Sequence, residues 1–142
     1  MNYVESTRDL FCANRDFIAS ALSEMAMPWT PVPVEGGYFL MADITACSDL
    51  IPDVYKNSHE YEPDNGSTPV KKYHLNMPDG KIPLDLAFCR WMAIEKGVVM
   101  MPNSFFYHKN SPTMTDKYVR LAICKERKST EAAINKLRTA LD

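Results

Sequence analysis

Tyr118-Val119-Arg120-Leu121-Ala122-Ile123-Cys124 is an apolar run with a single charge inside it. Its composition reads as a strand, and successive side chains of a strand take opposite faces. Val119, Leu121 and Ile123 then form one face. Tyr118, Arg120, Ala122 and Cys124 form the other. Burying an arginine unpaired is costly, and nothing within the run supplies a partner. Two readings stay open on these residues alone. Arg120 points to water from the wet face that antiparallel sheets often keep. Alternatively it meets a carboxylate from elsewhere, which a guanidinium fork grips with two parallel hydrogen bonds. Ala122 and Cys124 are small enough to leave room above Arg120 for a ligand carboxylate.

The rest of the chain predicts the elements around that strand. Leu10, Phe11, Phe17, Ile18, Ala21, Leu22 and Met25 recur at helical spacing, so residues 3–25 form an amphipathic helix that Pro28 ends. The Arg15-Asp16 pair on it reads as a solvated helix face. Pro31, Pro33 and Gly36-Gly37 frame an extended segment and a turn. A strand follows over 38–43. Residues 47–80 hold Pro52, Pro63, Asp64-Asn65-Gly66-Ser67, Pro69, Pro78 and Asp79-Gly80, and read as a long surface loop with a turn of helix near 49–56. Pro83 suits the first turn of a helix over 84–96 that buries Leu84, Ala87, Phe88, Trp91 and Ile94. Gly97 caps it, and residues 98–101 are a short buried apolar strand. In the last helix Ser129 or Thr130 is the expected cap, and Ala133, Ile134, Leu137 and Leu141 face the core. The sum is an α+β domain: a small, mostly antiparallel sheet covered by helices.

Composition excludes more than it assigns. The chain has 142 residues, 46% of them hydrophobic, which suits one core and one domain. A net charge of −2 gives no footprint for nucleic acid, and no basic run marks a membrane surface. No apolar stretch approaches the ~20 residues of a membrane span. The polar first fifteen residues do not read as a signal peptide. Cys12, Cys47, Cys89 and Cys124 are dispersed, as are His59, His74 and His108, so no metal site is expected and the thiols are expected free. Asn65-Gly66-Ser67 matches a glycosylation acceptor but reads as loop sequence. No phosphate-binding glycine loop or nucleophile elbow is present.

Three segments in series carry a resemblance: Gly36-Gly37-Tyr38-Phe39-Leu40-Met41-Ala42-Asp43, the stretch from Phe88-Cys89-Arg90-Trp91 through Pro102-Asn103-Ser104-Phe105-Phe106-Tyr107, and Tyr118-Val119-Arg120. In this order and spacing the chain resembles the C-terminal small domain of class I/II, fold-type I pyridoxal-phosphate aminotransferases. Within that family it looks most like the kynurenine aminotransferases, also known as cysteine-S-conjugate beta-lyases. The likeness runs over about residues 3–141 and is weakest across 47–80. It implies that Arg120 grips the substrate α-carboxylate and that Phe106 helps line the substrate side-chain pocket. Phe106 and Tyr107 match the family's Pro-x-Ser-x-Phe-Tyr pattern, whereas Asn103 and Phe105 fall on its variable positions. A family glycine near Gly37 precedes the cleft-facing strand. These glycines equally suit a plain turn.

The resemblance also implies what lies elsewhere. The family's Schiff-base lysine, the acid on the pyridinium nitrogen and the phosphate ligands belong to a large domain that would precede Met1. No catalytic residue is therefore expected here. Pyridoxal phosphate is expected on the full-length enzyme and weakly, without turnover, on this chain. Implied partners are amino-acid and keto-acid substrates, the large domain, and a second copy in a full-length homodimer. The compartment implied is cytoplasmic, or mitochondrial with an upstream transit peptide. Two further readings remain: a stand-alone binding or regulatory module derived from an aminotransferase, and an unrelated α+β scaffold with Arg120 on its surface. An exposed apolar cleft face would favour the fragment.

Overall fold

A computed structural model describes residues 2–56, 82–108 and 111–141. Helix α1 spans Tyr3–Glu24, β1 Thr30–Pro31, β2 Phe39–Asp43 and α2 Asp53–Lys56. They are followed by α3 (Leu84–Trp91), β3 (Met101–Pro102), β4 (Tyr118–Ala122) and α4 (Arg127–Arg138). The strands form one antiparallel sheet in the order β1-β2-β4-β3. The fold is α+β, as the sequence predicts.

Helix α1 starts on a reciprocal cap: Asn2 accepts from the Glu5 N–H, and the Glu5 side chain reaches back to the Asn2 N–H. Its inner stripe of Ile18, Ala21 and Leu22 is buried, while Leu10 lies on the surface. The amide of Asn14, wholly buried, donates to Ile123 O at 2.9 Å and Lys125 O at 2.6 Å. This pins α1 to the exit of β4. Its own Oδ1 has no partner among the described residues. Arg15 and Asp16 form an exposed ion pair at 2.8 Å, the solvated face expected of them.

One face of the sheet makes the core. Leu40 and Ala42 of β2 and Val119 and Leu121 of β4 are buried with Leu22, Phe88 and Trp91. Full burial of each large side chain contributes about 1.5–3 kcal/mol. The opposite face stays open, and alternation places Phe39, Met41 and Asp43 there with Tyr118, Arg120 and Ala122.

Four local expectations are corrected. The first residues of the expected surface loop are not on the surface. A 3-10 turn over Thr45–Leu50 and the short α2 bury Cys47, Ile51 and Tyr55 in the core. Residues 57–81, and with them His59, His74 and Asn65-Gly66-Ser67, lie outside the described residues. The helix after Pro83 widens into a π turn over Met92–Lys96, with the Gly97 N–H bonding Met92 O. Wider turns advance less per residue, so Ile94 leaves the buried stripe and lies half exposed. The segment read as a buried strand alternates instead: Val98 and Met100 point inward, Val99 and Met101 outward. Finally, α4 begins before Ser129 and Thr130, with Glu126 at the cap position, and Thr130 Oγ1 bonds back to Glu126 O at 3.2 Å. Ala140, not Leu141, closes the core there.

Candidate functional site

Arg120 stands on the open face at the middle of the sheet, between Met41 of β2 and Met101 of β3. Its Nε donates to Asn103 Oδ1 at 3.0 Å. Its guanidinium lies 3.8 Å over the Phe106 ring and 5.9 Å from the Phe39 ring. A delocalised planar cation packs well against aromatic faces, each such contact contributing about 0.5–1 kcal/mol at an exposed site. One bond and two rings thus fix the plane of the fork. Among the described residues no carboxylate pairs with Arg120 and nothing is bonded to its two terminal nitrogens. Those nitrogens are the two that bidentate carboxylate recognition uses.

The turn that follows β3 supplies two of these partners. A 3-10 turn over Asn103–Phe106 buries Asn103 and Ser104 and leaves Phe105 and Phe106 about half exposed. Phe105 and Phe106 therefore lie outside the core. Ser104 is held by Asp85, which is fully buried in the first turn of α3. The Ser104 N–H donates to Asp85 Oδ2 at 2.6 Å, and the Ser104 hydroxyl donates to Oδ1 at 2.8 Å. The Leu86 N–H also donates to Oδ1, at 2.8 Å. Burial raises the pKa of Asp85, and these three donors pull against that rise. Nearby, Asp116 accepts from the Leu84 N–H at 2.7 Å and satisfies an orphan donor at the start of α3.

The other residues singled out from the sequence are placed less centrally. Tyr107 closes the 3-10 turn, half buried, with its N–H on Ser104 O at 3.2 Å. Gly37 adopts φ +87, a left-handed conformation that favours glycine, in the turn before β2. It lines a separate open cleft of about 430 Å³ between α1 and that turn, with Arg8, Phe11, Arg15, Val34 and Tyr38. The contribution of this region to the Arg120 cluster is Phe39, two residues further on. Sequence reasoning set Asn103 aside as a variable position and gave Asp85 no role. The only signal for Asp85 was an acid at the start of a helix, which the helix dipole favours without any tertiary contact. All four cysteines are free; burial raises the Cys47 thiol to about 12 and Cys89 higher still, so neither suits a nucleophile. Among the described residues no cluster of metal-binding side chains occurs, and no helix is long and apolar enough to cross a membrane.

Comparison with known proteins finds the resemblance read in the sequence. The chain is 27% identical, over its full length, to a probable kynurenine–oxoglutarate transaminase of Saccharomyces cerevisiae, of which it covers 27%. It is 27% identical over 124 residues to kynurenine–oxoglutarate transaminase 1 of Homo sapiens, covering 87% of this chain and 24% of that protein. Among solved structures, an Escherichia coli protein with a methionine aminotransferase function superimposes with a TM-score of 0.57 at 25% identity, over 92% of this chain and 24% of that one. The Saccharomyces cerevisiae protein Bna3p, a putative kynurenine aminotransferase, shares the fold with a TM-score of 0.68 at 23% identity, over 97% of this chain and 27% of its own. No protein-family profile matches the chain. It spans about a quarter of the length of the curated relatives it matches.

Proposed function

We propose that this chain is the carboxylate-gripping small domain of a pyridoxal-phosphate-dependent aminotransferase of the kynurenine–oxoglutarate type. The observation that carries this reading is the pre-oriented Arg120 fork, held edge-on by Asn103 and flat by Phe106, with its terminal nitrogens open. Kynurenine and 2-oxoglutarate both present a carboxylate beside the carbon that reacts. Holding that carboxylate fixes the reacting carbon, a positioning effect. Phe106 and Phe39 offer an apolar wall for the rest of an aromatic substrate. The same grip serves beta-elimination from cysteine conjugates, which also starts from a fixed α-carboxylate.

The groups around Arg120 suit an organic acid and do not fit the cofactor. They are an amide, two phenyl rings and a guanidinium, and no amine among them can bond a carbonyl carbon. Pyridoxal phosphate supplies the electron sink in such reactions; in this reading it is held by the part of the enzyme outside this chain. The exposed apolar side chains of the open face support a covering partner, since Phe39, Met101, Phe105 and Phe106 are 37–52% exposed. The occupant proposed is the large domain.

The test is a titration of the isotope-labelled chain with kynurenine and with 2-oxoglutarate, followed by NMR at the Arg120 side chain and the Phe106 ring. Both ligands are expected to shift these signals. Arg120→Ala is expected to weaken binding by about tenfold or more, the value of a charge-assisted hydrogen-bonded contact. Equal binding by Arg120→Ala and the unaltered chain would overturn the reading.

A further inference from the structure

We propose that Asp85 is the positioning residue of the Arg120 grip, acting through the turn that carries Asn103 and Phe106. The inference rests on the reading of Arg120 as the carboxylate-binding group. It starts from an acid in an expensive place. Asp85 is fully buried, and among the described residues no cation pairs with it. Two of its three donors belong to one residue, Ser104. One step back along the chain is Asn103, whose Oδ1 accepts from Arg120 Nε. Two steps on is Phe106, whose ring lies 3.8 Å from the guanidinium. Holding Ser104 at both its N–H and its hydroxyl fixes the start of the 3-10 turn, and with it both supports of Arg120.

The acid specifies this arrangement where its amide does not. Both carboxylate oxygens accept, Oδ1 from Leu86 and Ser104 and Oδ2 from Ser104. An asparagine amide would turn a donor toward the Ser104 N–H or toward the Leu86 N–H, so at least one bond fails in either orientation. A shift of about 1 Å in the turn is enough to break the bond from Arg120 to Asn103 and lift the ring.

The measurement is hydrogen exchange of the Arg120 Nε proton by NMR in the full chain, with Arg120→Lys identifying the signal. Asn103→Ala removes the acceptor and sets the unprotected rate. In folded D85N the exchange rate is expected to rise by about threefold or more and kynurenine affinity to fall in parallel, while amide shifts of α1 and α4 stay in place. A merely structural acid would lower stability and leave the Arg120 proton as protected as before, and a rise below about threefold would overturn the proposal. Should D85N not fold, Ser104→Ala, which removes one bond of the pair, is judged by the same criterion. The exchange readout needs no ligand. A chain that binds no kynurenine but loses Arg120 protection in D85N refutes the carboxylate reading and leaves the positioning role standing.

Discussion

At residue scale the molecule is governed by two ionisable side chains in contrasting surroundings, Arg120 and Asp85. Arg120 is only partly buried and packs against aromatic faces, whereas Asp85 is fully buried. Desolvation raises the folded-state pKa of Asp85 above the unfolded value of about 3.9, against the bonds from Ser104 and Leu86 and with a small addition from Asp116. The folded chain therefore holds this proton more tightly than the unfolded chain does. The stabilisation that follows is fully present below the unfolded pKa and is lost as pH rises through the folded one. Urea denaturation of the chain and of D85N across about pH 3 to 7 cancels the other carboxylates in the difference. The unaltered chain is expected to lose stability relative to D85N as pH rises, and a difference that grows the other way would mean that the hydrogen bonds outweigh desolvation. Arg120 was legible in the sequence because a charge inside an apolar alternation is anomalous. Asp85 was not, because an acid in the first turn of a helix is ordinary until its neighbours in space are known.

At the scale of elements, periodicity carried α1 and β4. The inward face of β4 and the Ile18, Ala21 and Leu22 stripe of α1 are those the spacing predicts, whereas Leu10 lies on the surface and Asn14 is buried. The ends and irregularities were set by contacts that spacing does not encode. The π turn after α3 is tied down by Glu95, which accepts from Trp91 Nε1 at 2.9 Å and from the Tyr55 hydroxyl at 2.9 Å. Gly97 then ends the element at φ +64, with the Lys96 amine on Thr139 O at 2.6 Å beyond it. An added Cβ at Gly97 would meet only the Lys136 amine, at 3.3 Å, the far end of a flexible side chain. The expected cost of Gly97→Ala is therefore that of the left-handed backbone alone, about 1–2 kcal/mol. It should appear as a lower urea midpoint with an unchanged slope. A much larger loss would show that Lys136 cannot move aside. Capping chemistry likewise misplaced the start of α4, because Thr130 packs inward and bonds its own helix rather than capping it.

At the scale of the whole molecule, the helices share a core with one face of the sheet, and the other face carries Arg120 amid exposed apolar side chains. Val99, 83% exposed just before β3, and Phe105 add exposed apolar surface. A patch of this kind is expected to bind a hydrophobic dye and to drive self-association of the chain at high concentration. Replacing Val99 with Lys and Phe105 with Ser should cut dye fluorescence by about half or more and change stability by only about 0.5 kcal/mol. Unchanged dye binding would place the sticky surface elsewhere. The sequence alone determined the α+β class, the resemblance to aminotransferases, and Arg120 as the residue to explain, because periodicity, composition and motif order are local and additive along the chain. The tertiary structure alone decided that Asn103 and Phe106 hold the guanidinium, that Asp85 holds their turn, and that Val99 and Met101 face outward. Those facts depend on which elements meet in space, and hydrogen bonds and ring contacts acting over 3–4 Å leave no periodic trace in the chain that makes them.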